Sequence, residues 1–170
     1  WYERALYFAG LCRANTGEED AAARAFSTLL EKFPDSQYKS DAQSRLIDLQ
    51  LSGAEGEELK DKLQAIIDSP GSGAGTRAMA HKNLGKYLES QGDLPAALEN
   101  YATVVVLYGD IDEGDLQETA QARCADLFLE LGRTNEATFY YRQIVEVYPD
   151  GAFTAHAREQ LSTLTTDTGE

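Results

Sequence analysis

With 170 residues, the chain has the size of one ordinary domain and no room for two large ones. Hydrophobic residues at 42% and charged residues at 26% fit a folded protein, and no apolar run approaches the ~20 residues that span a bilayer. The 15 Lys and Arg stand against 29 Asp and Glu, for a formal charge of −14; that field repels phosphate backbones and disfavours nucleic acid as a partner.

Trp1 opens the chain without a Met and already inside an apolar-periodic segment. The sequence is therefore expected to be a piece of something longer, and the lack of a leader says nothing of compartment. The first helical pair carries Gly10 midway along its first helix and a turn glycine at Gly17. Ala22 and Phe26 follow in its second helix, and Pro34 closes it. Its closing junction reads Phe33-Pro34-Asp35-Ser36-Gln37-Tyr38, with Ala42 beyond. Residues 38–51 and 55–69 fit a second pair, but Ile47 and Leu59 stand where small residues belong. With the looser turn Ser52-Gly53-Ala54-Glu55-Gly56, this predicts a wider pair. The stretch Ser69-Pro70-Gly71-Ser72-Gly73-Ala74-Gly75 is expected to be a flexible connector; it lacks the Lys-Ser/Thr ending of a phosphate loop.

In the third pair, Met79 to Gln91 forms one helix, Gly92-Asp93 breaks it, and Leu94 to Tyr108 forms the next. Asp93 is placed to cap that second helix, and Pro95 is tolerable in a first turn that needs no N–H there. Ala97, Tyr101, Val104 and Tyr108 build one apolar face. An acidic insertion, Gly109-Asp110-Ile111-Asp112-Glu113-Gly114-Asp115, precedes the fourth pair. That pair carries Ala125, Gly132, Ala137 and Tyr141 and ends in Tyr148-Pro149-Asp150-Gly151-Ala152-Phe153, with Ala157 beyond. An unpaired helix then runs to about Leu164 and caps the last core face; 165–170 is expected to be a disordered tail.

Junction marks at Pro34, Pro70, Gly109 and Pro149 recur every 36 to 40 residues, which with helical patterning between them means a helical solenoid. The repeated skeleton resembles the tetratricopeptide repeat family. It runs small residue (Gly10, Gly85, Ala125), turn glycine (Gly17, Gly92, Gly132), small residue (Ala22, Ala97, Ala137), aromatic (Phe26, Tyr101, Tyr141) and terminal proline. Small residues let the paired helices cross closely, so Gly85 is expected to face Ala97 and Ala125 to face Ala137. The two clean proline-aspartate junctions are similar to tetratricopeptide proteins of the bacterial cell envelope, of the Tol–Pal coordinator and outer-membrane assembly lipoprotein type. That resemblance implies a periplasmic or envelope location, with the cytoplasm as the alternative.

Chemistry is sparse. His81 and His156 lie in different pairs, and neither has another ligand at a metal-binding spacing. Cys12 and Cys124 are expected to be buried free thiols, too far apart to bridge. The clusters Glu18-Glu19-Asp20 and Glu55, Glu57, Glu58 sit at helix starts, where they complement the helix dipole. No cofactor, metal or small-molecule substrate is implied.

What remains is the concave wall of stacked first helices, which solenoids use to hold other proteins. Its expected lining is Arg4, Tyr7 and Leu11; Asp41, Ser44, Arg45 and Asp48; Lys82, Lys86 and Glu89; Thr119, Ala122, Arg123 and Asp126. Tyr7, Arg45, Lys82, Lys86 and Arg123 are the candidate partner-binding residues. Lys82, Lys86 and Arg123 form a cationic spot suited to a partner carboxylate. The match to family members that clamp a C-terminal carboxylate is only partial: Lys86 stands for the expected asparagine and Thr119 for a lysine. Tyr7 with Phe8 forms either an aromatic binding patch or a contact with an upstream repeat.

The sequence thus predicts an all-α, right-handed superhelix of four helix pairs (about 3–36, 40–73, 78–111 and 118–151) plus a capping helix at 152–164. Its predicted role is a non-catalytic scaffold for a partner protein or peptide. The alternative is self-association, or a spacer role in a longer envelope protein that meets the membrane indirectly through a missing N-terminal region.

Overall fold

Three of the four predicted inter-helix turns close in one way, dictated by glycine. At Gly17, Gly92 and Gly132 the backbone takes φ of 79°, 79° and 73°, a region that strains any residue with a Cβ. The N–H of the next residue reaches back to Arg13, Leu88 and Phe128 carbonyls at 2.9, 3.0 and 2.8 Å. The glycine N–H bonds the Ala14, Glu89 and Leu129 carbonyls. These are Schellman closures, which satisfy carbonyls that a helix end leaves open.

In the computed structural model, which describes residues 1–111 and 115–167, every regular element among the described residues is a helix. The chain divides into two compact units, Trp1–Ala80 and His81–Glu170. The first holds α1 (Tyr2–Asn15), α2 (Glu19–Lys32), α3 (Lys39–Leu51), α4 (Gly56–Asp68) and the start of α5 (Ala74–Ser90). The second holds the rest of α5, α6 (Leu94–Leu107), α7 (Leu116–Glu130), α8 (Thr134–Val147) and α9 (Thr154–Asp167). The fold is all-α and built from antiparallel helix pairs, as the repeat predicts.

Packing follows the small-residue skeleton, with one correction. A Cβ on Gly10 would lie 2.6 Å from the Phe26 ring, and one on Gly85 would lie 3.1 Å from the Tyr101 ring. The room that glycine leaves is thus occupied first by the aromatic of the facing helix, where Ala97 was expected. Phe26 and Tyr101 are 0% and 2% exposed, and full burial of such a side chain contributes about 1.5–3 kcal/mol. In unit 1 the core gathers Ala22, Phe26, Leu29, Ala42 and Leu46; in unit 2, Leu98, Leu127, Phe128, Tyr141 and Ile144. The second pair is the loose one, as Ile47 and Leu59 foretell: α3 and α4 meet only over a short stretch.

Helix ends depart from expectation at two places. α5 begins at Ala74, inside the supposed connector, because the Arg77 N–H bonds the Gly73 carbonyl at 3.0 Å and Gly75 and Thr76 are buried. Side-chain-free packing lets glycine join a helix that its propensity opposes. At the other end, α9 continues to Asp167, past the expected stop at Leu164. The rest of the supposed tail, 168–170, lies outside the described residues, as does 112–114 of the acidic insertion. Asp93 caps α6 as predicted, accepting from the Ala96 N–H at 3.2 Å.

The proline-aspartate junctions carry a device that repeat spacing hides. Ser36 donates its hydroxyl to Glu3 at 2.5 Å and accepts the Tyr38 N–H at 3.0 Å, relaying between α1 and the start of α3. In the fourth pair Gly151 stands where Ser36 stands, and the relay is gone. Glu118, equivalent to Glu3, instead reaches in and accepts the Phe153 N–H directly at 2.8 Å. That buried carboxylate holds the N-terminal turn of α9, whose Ala157 joins the unit 2 core.

The two cysteines differ. Cys124 is buried, and burial pushes its thiol up to about 12; Cys12 is exposed, against expectation. Cys12 sits two residues after the small residue of its helix, where α7 has Leu127. Leu127 is buried in a cluster with Leu98 of α6, whereas among the described residues no helix covers that side of α1. A thiol reagent at neutral pH should therefore titrate one equivalent rapidly and the second only on unfolding. Cys12→Ser should remove the fast phase.

Candidate functional site

In unit 2, one face of α5 and one face of α7 enclose a cleft of about 520 Å³. Lys82, Lys86 and Glu89 succeed one another on α5 at intervals of four and three, the spacing that keeps them on one face. Asp115 at the N-terminal end of α7 and Thr119 and Arg123 on it follow at intervals of four, and all six line the cleft with Asn83, Ser90 and Tyr101. The structure thus brings together the three predicted cations Lys82, Lys86 and Arg123.

It does not leave all three available. Arg123 is held between two carboxylates. Its guanidinium pairs with Glu89 of α5 through two nitrogens and donates to Asp126 of α7 at 3.0 Å. A guanidinium fork matched to carboxylates on both sides has little capacity for a third. Lys82 and Lys86 have no ion pair among the described residues. The expected spot of three cations is therefore a pair of lysines beside a neutralised arginine.

The same carboxylates are anchored to the core. Tyr101 of α6 donates to Glu89 at 3.2 Å, and Tyr141 of α8 donates to Asp126 at 2.8 Å. Burial, then the Cys124 thiol, pushes the Tyr101 hydroxyl up to about 12. Tyr141 is raised as well, chiefly by burial and next by its bond to Asp126. Both phenols therefore stay protonated donors across ordinary pH. Asp126 also meets His156 of α9 at 2.9 Å, so His156 belongs to this network. Among the described residues no group of His, Cys, Asp and Glu could hold a metal ion. Of the remaining predicted lining in unit 2, Ala122 is fully buried and takes no part in the cleft.

Tyr7 and Arg45 lie in unit 1, where they form a separate arrangement. Tyr7 donates its hydroxyl to Asp41, which also pairs with Arg45 at 3.5 Å. That bond to Asp41, with burial adding, raises the Tyr7 hydroxyl above the ordinary phenol value. The Tyr7 ring stacks on Tyr38 at 4.4 Å, while Phe8 is 45% exposed with Arg4 over its ring. Tyr7 and Arg45 are thus spent largely on partners within their own unit.

Sequence reasoning placed Glu89 and Asp126 on the lining but missed their pairing with Arg123. The signal was partly present: Glu89 and Arg123 lie on the lining faces of equivalent first helices and carry opposite charge.

A family model described as the YfiO outer membrane lipoprotein matches residues 7–58, and a tetratricopeptide repeat model matches residues 116–151. No curated protein matches the chain. Among solved structures, a chain from the functional characterization of Pseudomonas aeruginosa pilF superposes with a TM-score of 0.56 at 15% identity. The alignment covers 98% of this chain and 69% of that one. With the helix pairs, glycine closures and aromatic packing described above, the chain has the fold of a tetratricopeptide-repeat array, carries a tetratricopeptide repeat at residues 116–151 and is similar over residues 7–58 to an outer membrane lipoprotein family.

Proposed function

We propose that the chain is a non-catalytic scaffold of the bacterial cell envelope that holds a partner protein in the unit 2 cleft. The partner's carboxylate would sit between Lys82 and Lys86. The observation that carries this reading is two lysines one turn apart, without ion-pair partners among the described residues, on the wall of a 520 Å³ cleft. A pair of cations with no carboxylate partner among the described residues, in a chain of charge −14, is a local exception to its surroundings. The matches to a tetratricopeptide repeat and to an outer membrane lipoprotein family support a protein as the partner and the envelope as the place.

The test is a double variant, K82Q/K86Q, titrated against a labelled peptide with one central glutamate and followed by fluorescence anisotropy. Affinity should fall about tenfold, a typical loss for charge-assisted contacts. Stability should stay within about 0.5 kcal/mol, because neither lysine has an ion-pair partner among the described residues. Unchanged affinity removes the cleft as the site. Arg123 is unsuited to this test, since its removal would leave Glu89 and Asp126 facing each other without their shared cation.

A further inference from the structure

We infer that the guest of this cleft is a protein segment carrying one carboxylate among basic or neutral residues, not an acidic run. The inference rests on the reading of the cleft as the partner site and concerns what that site selects.

Beyond residue 80 the sequence has six Lys and Arg against sixteen Asp and Glu. Of the six, Arg123 is already neutralised by Glu89 and Asp126, and Arg133 pairs with Glu136 at 2.7 Å. Arg142 of α8 and Arg158 of α9 lie outside the cleft lining, so Lys82 and Lys86 are its positive island in a strongly negative unit. The cleft itself repeats the pattern. Along α5 the order is cation, cation, anion, and across on α7 the exposed Asp115 lines the same space. A carboxylate fits only beside the lysines, and carboxylates to either side of it meet Glu89, Asp115 or the acidic surround.

The range of that selection can be set. At physiological ionic strength charges act over a Debye length of about 8 Å. An extended chain advances about 3.3–3.6 Å per residue, so about two residues on each side of the central carboxylate fall within reach. Those four positions decide affinity, and more distant ones are screened. Like charge there costs binding and opposite charge adds to it, which makes this a device for discriminating partners.

Four labelled peptides in a common Gly-Ser background test the point, with central motifs Lys-Lys-Glu-Lys-Lys, Gln-Gln-Glu-Gln-Gln, Glu-Glu-Glu-Glu-Glu and Lys-Lys-Gln-Lys-Lys. The first should bind at least tenfold more tightly than the all-glutamate peptide, with the second between them. Added salt should weaken the first and strengthen the all-glutamate peptide. In K82Q/K86Q the first should lose about tenfold while Lys-Lys-Gln-Lys-Lys does not weaken. All-glutamate binding best, and weakening in K82Q/K86Q, overturns this inference and leaves the cleft standing as the site. Lys-Lys-Gln-Lys-Lys matching Lys-Lys-Glu-Lys-Lys also overturns it, because the attraction then needs no carboxylate. If the lysine substitutions alter none of the four, the reading of the cleft falls as well.

Discussion

Phe26→Ala should destabilise the protein by about 3–5 kcal/mol, and adding Gly10→Ala to it should recover part of that loss. Phe26 is completely buried, and its ring fills the space that Gly10 leaves open on the facing helix. In the native background Gly10→Ala drives a methyl to 2.6 Å from the ring, an overlap that costs about 1–3 kcal/mol. Once the ring is gone the methyl occupies part of the cavity. Alanine is also about 1 kcal/mol better than glycine inside a helix. The same substitution therefore changes sign with its neighbour. Denaturant unfolding of the four proteins in the cycle, followed by circular dichroism, measures it. Gly10→Ala destabilising to the same degree in both backgrounds would show that the glycine serves something other than the ring.

Gly151→Ala and Glu118→Ala should each cost about 1–3 kcal/mol, and the double variant about as much as one of them alone. A Cβ on residue 151 would overlap the Glu118 carboxylate, so it must expel the group that receives the Phe153 N–H. Either change leaves the same part-buried donor without that acceptor, and the second then has nothing left to remove. Serine at 151 should be milder than alanine, because its hydroxyl restores the relay that Ser36 provides between Glu3 and Tyr38. Unfolding midpoints of the single and double variants decide the matter. Additive losses would mean that Gly151 and Glu118 act on different contacts.

What was legible in the sequence was whatever a single repeat determines for itself. Glycine at 17, 92 and 132 and the aromatics at 26, 101 and 141 depend on neighbours within one helix pair, so their spacing alone places the helices. Properties that depend on the next pair were harder to see. Cys12 holds a position that is buried in α7 and open in α1, and composition is blind to which side a neighbouring helix covers. The start of α5 was hidden for a related reason: Ala74-Gly75 reads as the end of a connector until tertiary packing buries Gly75 and Thr76. In the cleft, register correctly chose the lysines and Arg123, and all three line it. Register could not tell that Arg123 lies close enough to α5 to be taken by Glu89, since periodicity reports faces and not distances between helices.

The tyrosines behind the cleft tie its outer charge to the interior of the fold. In the fourth repeat Tyr141 finds its acceptor at Asp126; the same column in the third repeat holds Lys86, and Tyr101 turns to Glu89 further along the helix. The first repeat has Phe26 there, a ring with no hydroxyl to offer. Duplicated repeats can thus drift apart in the charge they present through the presence or absence of one phenolic oxygen on the second helix of a pair. Such a lineage can acquire new clients while its framework stays as it was.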